Sequence, residues 1–96
     1  MDLTVFGKKL LFSHHSTQRF ADRGTTPEEV KRALEEGGWT PAKSGRQETK
    51  AEFPFGRVWK GKLYQTKTVN PVFVVEDDVI TVVTIYVFYG GKVEGQ

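Results

Sequence analysis

Residues 69–89, VNPVFVVEDDVITVVTIYVFY, decide the fold of this chain. They contain two runs rich in β-branched and aromatic residues, Val69–Val75 and Val79–Tyr89, and such runs are typical of strands. The acidic residues between the runs favour a turn, so the pattern predicts an antiparallel hairpin. Apolar side chains occupy both faces of the second run, which indicates a central strand whose two faces are covered.

Two helices are predicted upstream of this hairpin. Ser13 is a typical N-cap for a helix that runs to about Arg23, and Gly24 then supplies the left-handed residue that ends it. Thr26 caps the second helix, and Glu29 completes a capping box with it. The other signals of this second helix are a proline at its first position, an apolar stripe and a terminating glycine pair: Pro27, Val30, Ala33, Leu34 and Gly37-Gly38.

The remaining strands are predicted from shorter patterns. Leu3–Phe6 and Leu10–Phe12 suit a short strand or hairpin, and Gln47–Phe53 and Arg57–Lys67 are strand-like. The expected class is α+β, with two N-terminal helices packed on a twisted, mainly antiparallel sheet of about four strands. The 96 residues suit a single domain, with a core over about 12–89 and a tail over 90–96.

Composition excludes several classes of site. The chain has no cysteine, so it contains neither a disulfide nor a thiolate metal site, and two adjacent histidines do not make a zinc site. We therefore expect no metal and no cofactor. No apolar run approaches the length of a spanning helix, and Met1–Phe12 lacks the pattern of a signal peptide. We expect a cytoplasmic protein that does not bind membranes.

Positive charge is concentrated in the middle of the chain. Between Lys43 and Lys67 there are seven basic and two acidic residues, and aromatic side chains are interleaved with them. This pattern favours a polyanion whose bases can stack, such as RNA. It is also explained by a solvated edge-strand surface that lysine keeps soluble.

One helical ridge carries candidate catalytic chemistry. His15, Arg19 and Arg23 follow one another at i, i+4 spacing, so on a helix they lie within about 80° of each other. Arginine matches phosphate oxygens in bidentate geometry, and a neutral imidazole takes up a proton near pH 7. The expected buried side of this helix is Phe20 with Thr17 and Ala21. Two alternatives stay open: a surface ion pair of Arg19 with Asp22, and His14 in place of His15.

The hairpin offers partners for this ridge. A two-residue loop at Asp77-Asp78 places Lys67 opposite Phe88 and Val69 opposite Tyr86. Lys67, Thr84 and Tyr86 then share one face of the sheet. A three-residue loop moves Lys67 to the other face, and ordinary strand propensity explains Thr84 and Tyr86 without any site.

The opening motif His15-x-x-x-Arg19-Phe20-x-x-Arg23-Gly24, followed by a capped helix and the strand Val82–Tyr86, resembles the family called domain of unknown function 4258. That family is similar in fold to the barnase–EndoU–colicin–RelE ribonucleases, which include toxins of toxin–antitoxin systems. The resemblance spans about residues 12–89. It implies a RelE-like fold with RNA on the sheet face opposite the helices or along the sheet edge, and it implies a site made of His15, Arg19, Arg23, Lys67, Thr84 and Tyr86.

The function expected from this resemblance is a metal-independent endoribonuclease of toxin type. A ribose 2′-oxygen would attack the adjacent phosphorus and leave a 2′,3′-cyclic phosphate. His15, Lys67 and Thr84 would be catalytic, while Arg19, Arg23 and Tyr86 would bind the substrate. The alternatives are a non-catalytic module that binds nucleic acid through the same basic surface, and a protein bound by an antitoxin or immunity protein.

Overall fold

The computed structural model describes residues 3–92 of the chain and contains two helices and seven strands in that range. The predicted tail residues 93–96 lie outside it. In chain order the elements are β1 (Thr4–Val5), β2 (Lys8–Phe12), α1 (His14–Arg23), α2 (Pro27–Glu36), β3 (Thr40–Pro41), a 3₁₀ turn (Lys43–Gly45), β4 (Gln47–Glu48), β5 (Ala51–Trp59), β6 (Lys62–Glu76) and β7 (Val79–Lys92).

Both helices begin and end where the caps predict. The Ser13 hydroxyl accepts a hydrogen bond from the Ser16 amide at 3.1 Å, and Gly24 ends α1 at φ 74°. The Thr26 hydroxyl accepts from the Glu29 amide at 3.2 Å, but the reciprocal half of the predicted capping box does not form. The Glu29 carboxylate binds two other groups, described below, because a buried ammonium is a stronger partner than a backbone amide.

The sheet is curled and mixed, in the order β1-β2-β7-β6-β4-β3, with β5 paired to the first half of β6. The α+β class is therefore confirmed, whereas the prediction of about four strands is wrong. The two-residue strands β1, β3 and β4 are too short to show an alternating pattern in the sequence. The β2–β7 pair is parallel, so it depends on a contact that local patterns do not specify.

Two strand boundaries also differ from the prediction. Arg57–Lys67 is interrupted by a turn at Lys60-Gly61, where both residues have positive φ angles, and this turn joins β5 to β6. Strand β7 continues to Lys92, so residues 90–92 belong to the sheet rather than to a tail.

The core lies between the helices and one face of the sheet, which we call the inner face. Val30, Ala33 and Leu34 of α2 are fully buried there. The opposing buried side chains of the sheet include Val69, Phe73, Ile80, Val82 and Ile85. We call the face away from the helices the outer face.

A β-bulge at Val83 sets the faces of the β6–β7 hairpin. Near the turn the predicted register holds, because Glu76 pairs with Val79 across Asp77-Asp78. Phe73 pairs with Val82 but Val72 pairs with Thr84, so Val83 is an extra residue.

Beyond the bulge the predicted pairs are wrong by one residue. Lys67 opposes Tyr89 rather than Phe88, and Val69 opposes Val87 rather than Tyr86. Paired residues share a face, and the face alternates along a strand. Lys67 therefore lies on the inner face, while Thr84 and Tyr86 lie on the outer face.

Candidate nucleic-acid interface

The ammonium group of Lys67 is buried at the end of α1. Its side chain is held by three groups of the protein, and the residue is only 4% exposed. Nζ donates to the Gly24 carbonyl at 2.9 Å, lies 2.9 Å from Glu29 Oε2, and sits 5.3 Å from the centre of the Phe55 ring. Lys67 thus neutralises the negative end of the α1 dipole and a partly buried carboxylate.

Neighbouring groups complete this attachment of α1. The Tyr89 hydroxyl donates to the Arg23 carbonyl at 2.8 Å, and the Thr25 hydroxyl donates to Glu29 Oε1 at 3.0 Å. Burial raises the pKa of the Tyr89 hydroxyl above its ordinary value of 10.0, and the Glu29 carboxylate raises it further, while Arg57 opposes them. Tyr89 therefore stays protonated and keeps its donor role at neutral pH.

His15 does not lie near Lys67. His15 is exposed in the first turn of α1, whereas Lys67 contacts Gly24 just after the last turn. Nine residues of helix separate the two positions, which is about 13 Å along the axis. His14 is also exposed, and its Nε2 lies 3.2 Å from Gln18 Nε2.

Arg19 and Arg23 of α1 are only partly exposed, which is less than their spacing predicts. The fully buried residue of α1 is Ser16, and Thr17 and Ala21 are exposed, so the predicted buried side is correct only for Phe20, which packs on Phe12 at 5.2 Å. The error arises because α1 leaves the sheet edge at Ser13 and turns its Ser16 side towards β7. Arg19 pairs with Asp22 at 3.5 Å, as the surface alternative predicts.

The outer face holds the other predicted site residues. Thr84 and Tyr86 line a cavity of about 370 Å³. The other residues of this outer cavity come from β6, β4 and the segment before β4: Ala42, Lys43, Arg46, Glu48 and Val72. Glu48 pairs with Val72, and Val72 pairs with Thr84, so the carboxylate and the hydroxyl stand in one row across three strands. Adjacent strands are about 4.8 Å apart, which places the two backbones roughly 10 Å apart.

Arg23 reaches the Tyr86 ring from the inner side. Its guanidinium donates to the Ile85 carbonyl at 3.2 Å and lies 5.3 Å from the centre of the Tyr86 ring. Within the described range, β2 pairs only with residues 79–82 of β7, so the later edge of β7 is open to this side chain. Arg23 and Tyr86 are thus brought together, as predicted, whereas His15 and Lys67 are not part of this site.

Two aromatic rings project next to the outer cavity. Tyr86 is 42% exposed and Phe88 is 54% exposed, and both lie on the outer face of β7. Large apolar side chains this exposed on one face of a sheet are informative, because burial is their usual state. The two rings, with Arg23 over Tyr86, form a surface on which bases can stack.

Sequence reasoning missed four members of this interface: Lys43, Arg46, Glu48 and Phe88. The basic stretch from Lys43 to Lys67 signalled the two cations, but nothing in it singled out these positions. Glu48 gave no signal, because its place beside Thr84 depends on two strand pairings. Alternation along β7 did place Phe88 on the same face as Tyr86.

No family model, no curated protein and no solved structure matches this chain. The resemblance to the domain of unknown function 4258 therefore stays a prediction. Neither helix in residues 3–92 has the length and apolar character needed to cross a membrane. In the same range, no three histidine or acidic side chains are grouped so as to hold a metal ion.

Proposed function

We propose that this protein binds single-stranded RNA across the outer face of its sheet. The observation that carries the proposal is the pair of exposed rings, Tyr86 and Phe88, beside a cavity lined by Lys43 and Arg46. Aromatic rings on a sheet surface stack on unpaired bases, and lysine and arginine neutralise the phosphates between them.

The spacing of the two rings supports a single strand as the ligand. Tyr86 and Phe88 are two residues apart on one strand, so their Cα atoms are about 6.7 Å apart. Stacked bases are about 3.4 Å apart. The two rings therefore fit bases that are not stacked directly on each other, which is a state that unpaired strands adopt more readily than duplexes.

Binding can be tested with a labelled oligouridine and the variants Tyr86→Ala and Phe88→Ala, by fluorescence anisotropy. Each variant is expected to weaken binding by about 1–3 kcal/mol, the usual contribution of one base stacked on an aromatic ring. Phe6→Ala is the matched control, because Phe6 is 65% exposed but lies on the β1–β2 turn. Equal affinities for wild type, Tyr86→Ala and Phe88→Ala would reject the proposal.

RNA cleavage is the second candidate function, and Glu48 is the observation that favours it. Its carboxylate lines the outer cavity together with two cations and the Thr84 hydroxyl. In this reaction Glu48 takes the proton of a ribose 2′-hydroxyl, and the 2′-oxygen attacks the adjacent phosphorus. The bond to the 5′-oxygen then breaks, and that oxygen takes a proton from solvent. Lys43 and Arg46 offset the charge that develops on the phosphorane oxygens.

The cleavage proposal assigns the proton transfer to Glu48 instead of His15. Incubation of RNA with wild type, Glu48→Gln and His15→Ala in EDTA separates the two assignments. Glu48→Gln is expected to lower the rate of cyclic-phosphate formation by about 10²–10⁴, and His15→Ala is expected to keep it. If the wild-type protein leaves the RNA intact, the cleavage proposal fails and only the binding function remains. If His15→Ala loses cleavage and Glu48→Gln keeps it, the proton transfer belongs to His15.

A further inference from the structure

A second cavity, of about 180 Å³, lies where the β5–β6 hairpin meets the end of α1, and we call it the hairpin cavity. Gly24 and Lys67 line it, together with residues of the hairpin and of β7. Lys67 lies on the inner face of the sheet, so the hairpin cavity is separate from the outer cavity. Three aromatic side chains form its main apolar walls: Phe55, Trp59 and Tyr89.

The protein itself holds these aromatic walls in position. The Trp59 and Tyr89 rings are stacked, with 5.1 Å between their centres and 19° between their planes. The Phe55 ring lies 5.2 Å from the Tyr89 ring, and the Tyr89 hydroxyl donates to the Arg23 carbonyl at 2.8 Å. A preformed aromatic wall loses little side-chain entropy when a ligand binds, so it favours a flat apolar group.

Arg57 supplies the charge that the hairpin cavity offers to a ligand. It is exposed at the mouth of the cavity, and its guanidinium lies 4.8 Å from the centre of the Phe55 ring. Among the residues that the structure describes, no carboxylate pairs with Arg57. The other lining cation, Lys67, is buried and pairs with Glu29 at 2.9 Å. The lining therefore carries one positive charge that no neighbour offsets.

Charge and size together define the ligand class. Arginine binds a carboxylate through two parallel hydrogen bonds, and a carboxylate balances one positive charge. A phosphate monoester carries a charge of about −1.5 to −2 at pH 7, which exceeds the charge of the lining. The cavity volume is also below the roughly 300–1,000 Å³ of sites for drug-sized ligands. It therefore suits one ring with one acid group rather than a whole nucleotide.

We propose that the hairpin cavity binds a small aromatic carboxylate, with the carboxylate on Arg57 and the ring against Phe55, Trp59 and Tyr89. The aromatic walls bury the ring, while the guanidinium fixes the orientation of the acid group at the mouth. This site lies on the side of the sheet opposite Tyr86 and Phe88, so it does not depend on RNA binding at the outer face.

The probe for this site is phenylacetate, which consists of one aromatic ring and one carboxylate. The chain has two tryptophans, and an NMR titration follows their indole N–H signals. Trp59 lines the hairpin cavity, whereas the Trp39 indole donates to the Leu34 carbonyl and packs on Phe73. Trp39 is therefore the internal reference, and its signal also reports that each variant is folded. Trp59→Phe assigns the two signals.

Phenylacetate is expected to shift the Trp59 signal to saturation and to leave the Trp39 signal in place. Arg57→Gln is expected to raise the dissociation constant about tenfold, because it removes the charge from the hydrogen bonds to the carboxylate. Arg32→Gln is the matched control, because the Arg32 guanidinium also lies 4.8 Å from an aromatic ring, that of Phe53, but is paired with Glu36. This control is expected to bind phenylacetate as wild type does.

Two analogues test the two halves of the ligand: phenylacetamide lacks the charge, and acetate lacks the ring. Each is expected to bind at least about tenfold more weakly than phenylacetate. A Trp59 signal that phenylacetate does not shift, or equal affinities for phenylacetate and phenylacetamide, would overturn the proposal. Tighter binding of uridine monophosphate would overturn the carboxylate class and assign the cavity to a nucleotide. The outer-face variants Tyr86→Ala and Phe88→Ala are expected to leave phenylacetate binding unchanged, so this test and the RNA test fail separately.

Discussion

Lys67 is a basic residue on strand β6, but its side chain is buried and therefore not accessible to a ligand. All its close partners belong to the protein: the Gly24 carbonyl, the Glu29 carboxylate and the Phe55 ring. A buried charge of this kind is retained when its partners compensate for the loss of hydration. We therefore assign Lys67 to the attachment of α1 and not to phosphate chemistry.

Lys67→Met is expected to lower the free energy of unfolding by about 3 kcal/mol, because it leaves the Glu29 carboxylate without its cation. Adding Glu29→Gln is expected to recover part of this loss. Lys31→Met is the matched control: Lys31 pairs with Glu35 at 2.7 Å on the exposed side of α2, and such pairs contribute less than about 1 kcal/mol. Urea unfolding measures the free energy of unfolding of wild type and of the three variants. Similar losses for Lys67→Met and Lys31→Met would refute the assignment.

The end of α1 decides how the helix, the β5–β6 hairpin and β7 fit together. Gly24 has φ 74°, and a Cβ at this position would lie 2.5 Å from the Tyr89 hydroxyl and 2.8 Å from Trp59. Glycine is needed for both reasons, since other residues are strained at this φ and no space is left for a side chain. The close contact couples the helix end to the β5–β6 hairpin, which carries Trp59.

Gly24→Ala is expected to lower the free energy of unfolding by about 2 kcal/mol, through backbone strain together with the displacement of Tyr89 and Trp59. Gly38→Ala serves as the control, because a Cβ at Gly38 meets no atom within 4 Å. We expect that control to change stability by less than about 0.5 kcal/mol. Thermal or urea unfolding compares the stability of the two variants with that of wild type. A Gly24→Ala variant as stable as wild type would refute the steric argument.

At the scale of the whole molecule, shape and charge act together. The protein measures 49 × 25 × 23 Å, and its net charge is only +2. The acids of α2 are partly paired on the helix itself, through Lys31–Glu35 and Arg32–Glu36. Lys43 and Arg46, the exposed cations of the outer cavity, are therefore available to a polyanion.

Salt dependence provides a test at this scale. Two phosphate contacts, from Lys43 and Arg46, predict that log affinity for a single strand falls against log salt concentration with a slope of about −1.4. Arg46→Gln is expected to make this slope shallower by about 0.7, and Lys9→Gln is expected to leave it unchanged. A slope near zero in an anisotropy titration would exclude phosphate contacts as the main source of affinity.

Local patterns were sufficient for the helices and for the hairpin turn. The hydroxyls of Ser13 and Thr26 and the positive φ of Gly24 act within a few residues, so the sequence reports them directly. The two-residue loop at Asp77-Asp78 follows from turn chemistry in the same way. The candidate site was only partly predictable: Thr84 and Tyr86 line the outer cavity and Arg23 contacts the Tyr86 ring, but His15 and Lys67 lie elsewhere.

The amino-acid sequence by itself determined the α+β class and the two capped helices. The prediction of a central last strand covered on both faces is wrong beyond residue 82, where β2 no longer pairs with β7 and where Tyr86 and Phe88 are 42% and 54% exposed. The tertiary structure alone decided which polar side chains meet. Val83 is as apolar as its neighbours, so the bulge leaves no mark on the pattern, yet one extra residue exchanges the faces of everything beyond it. Similarly, the pairing of Lys67 with Glu29 and of Glu48 with the Thr84 row depends on contacts between distant segments. Their geometry is set by packing and not by local propensity.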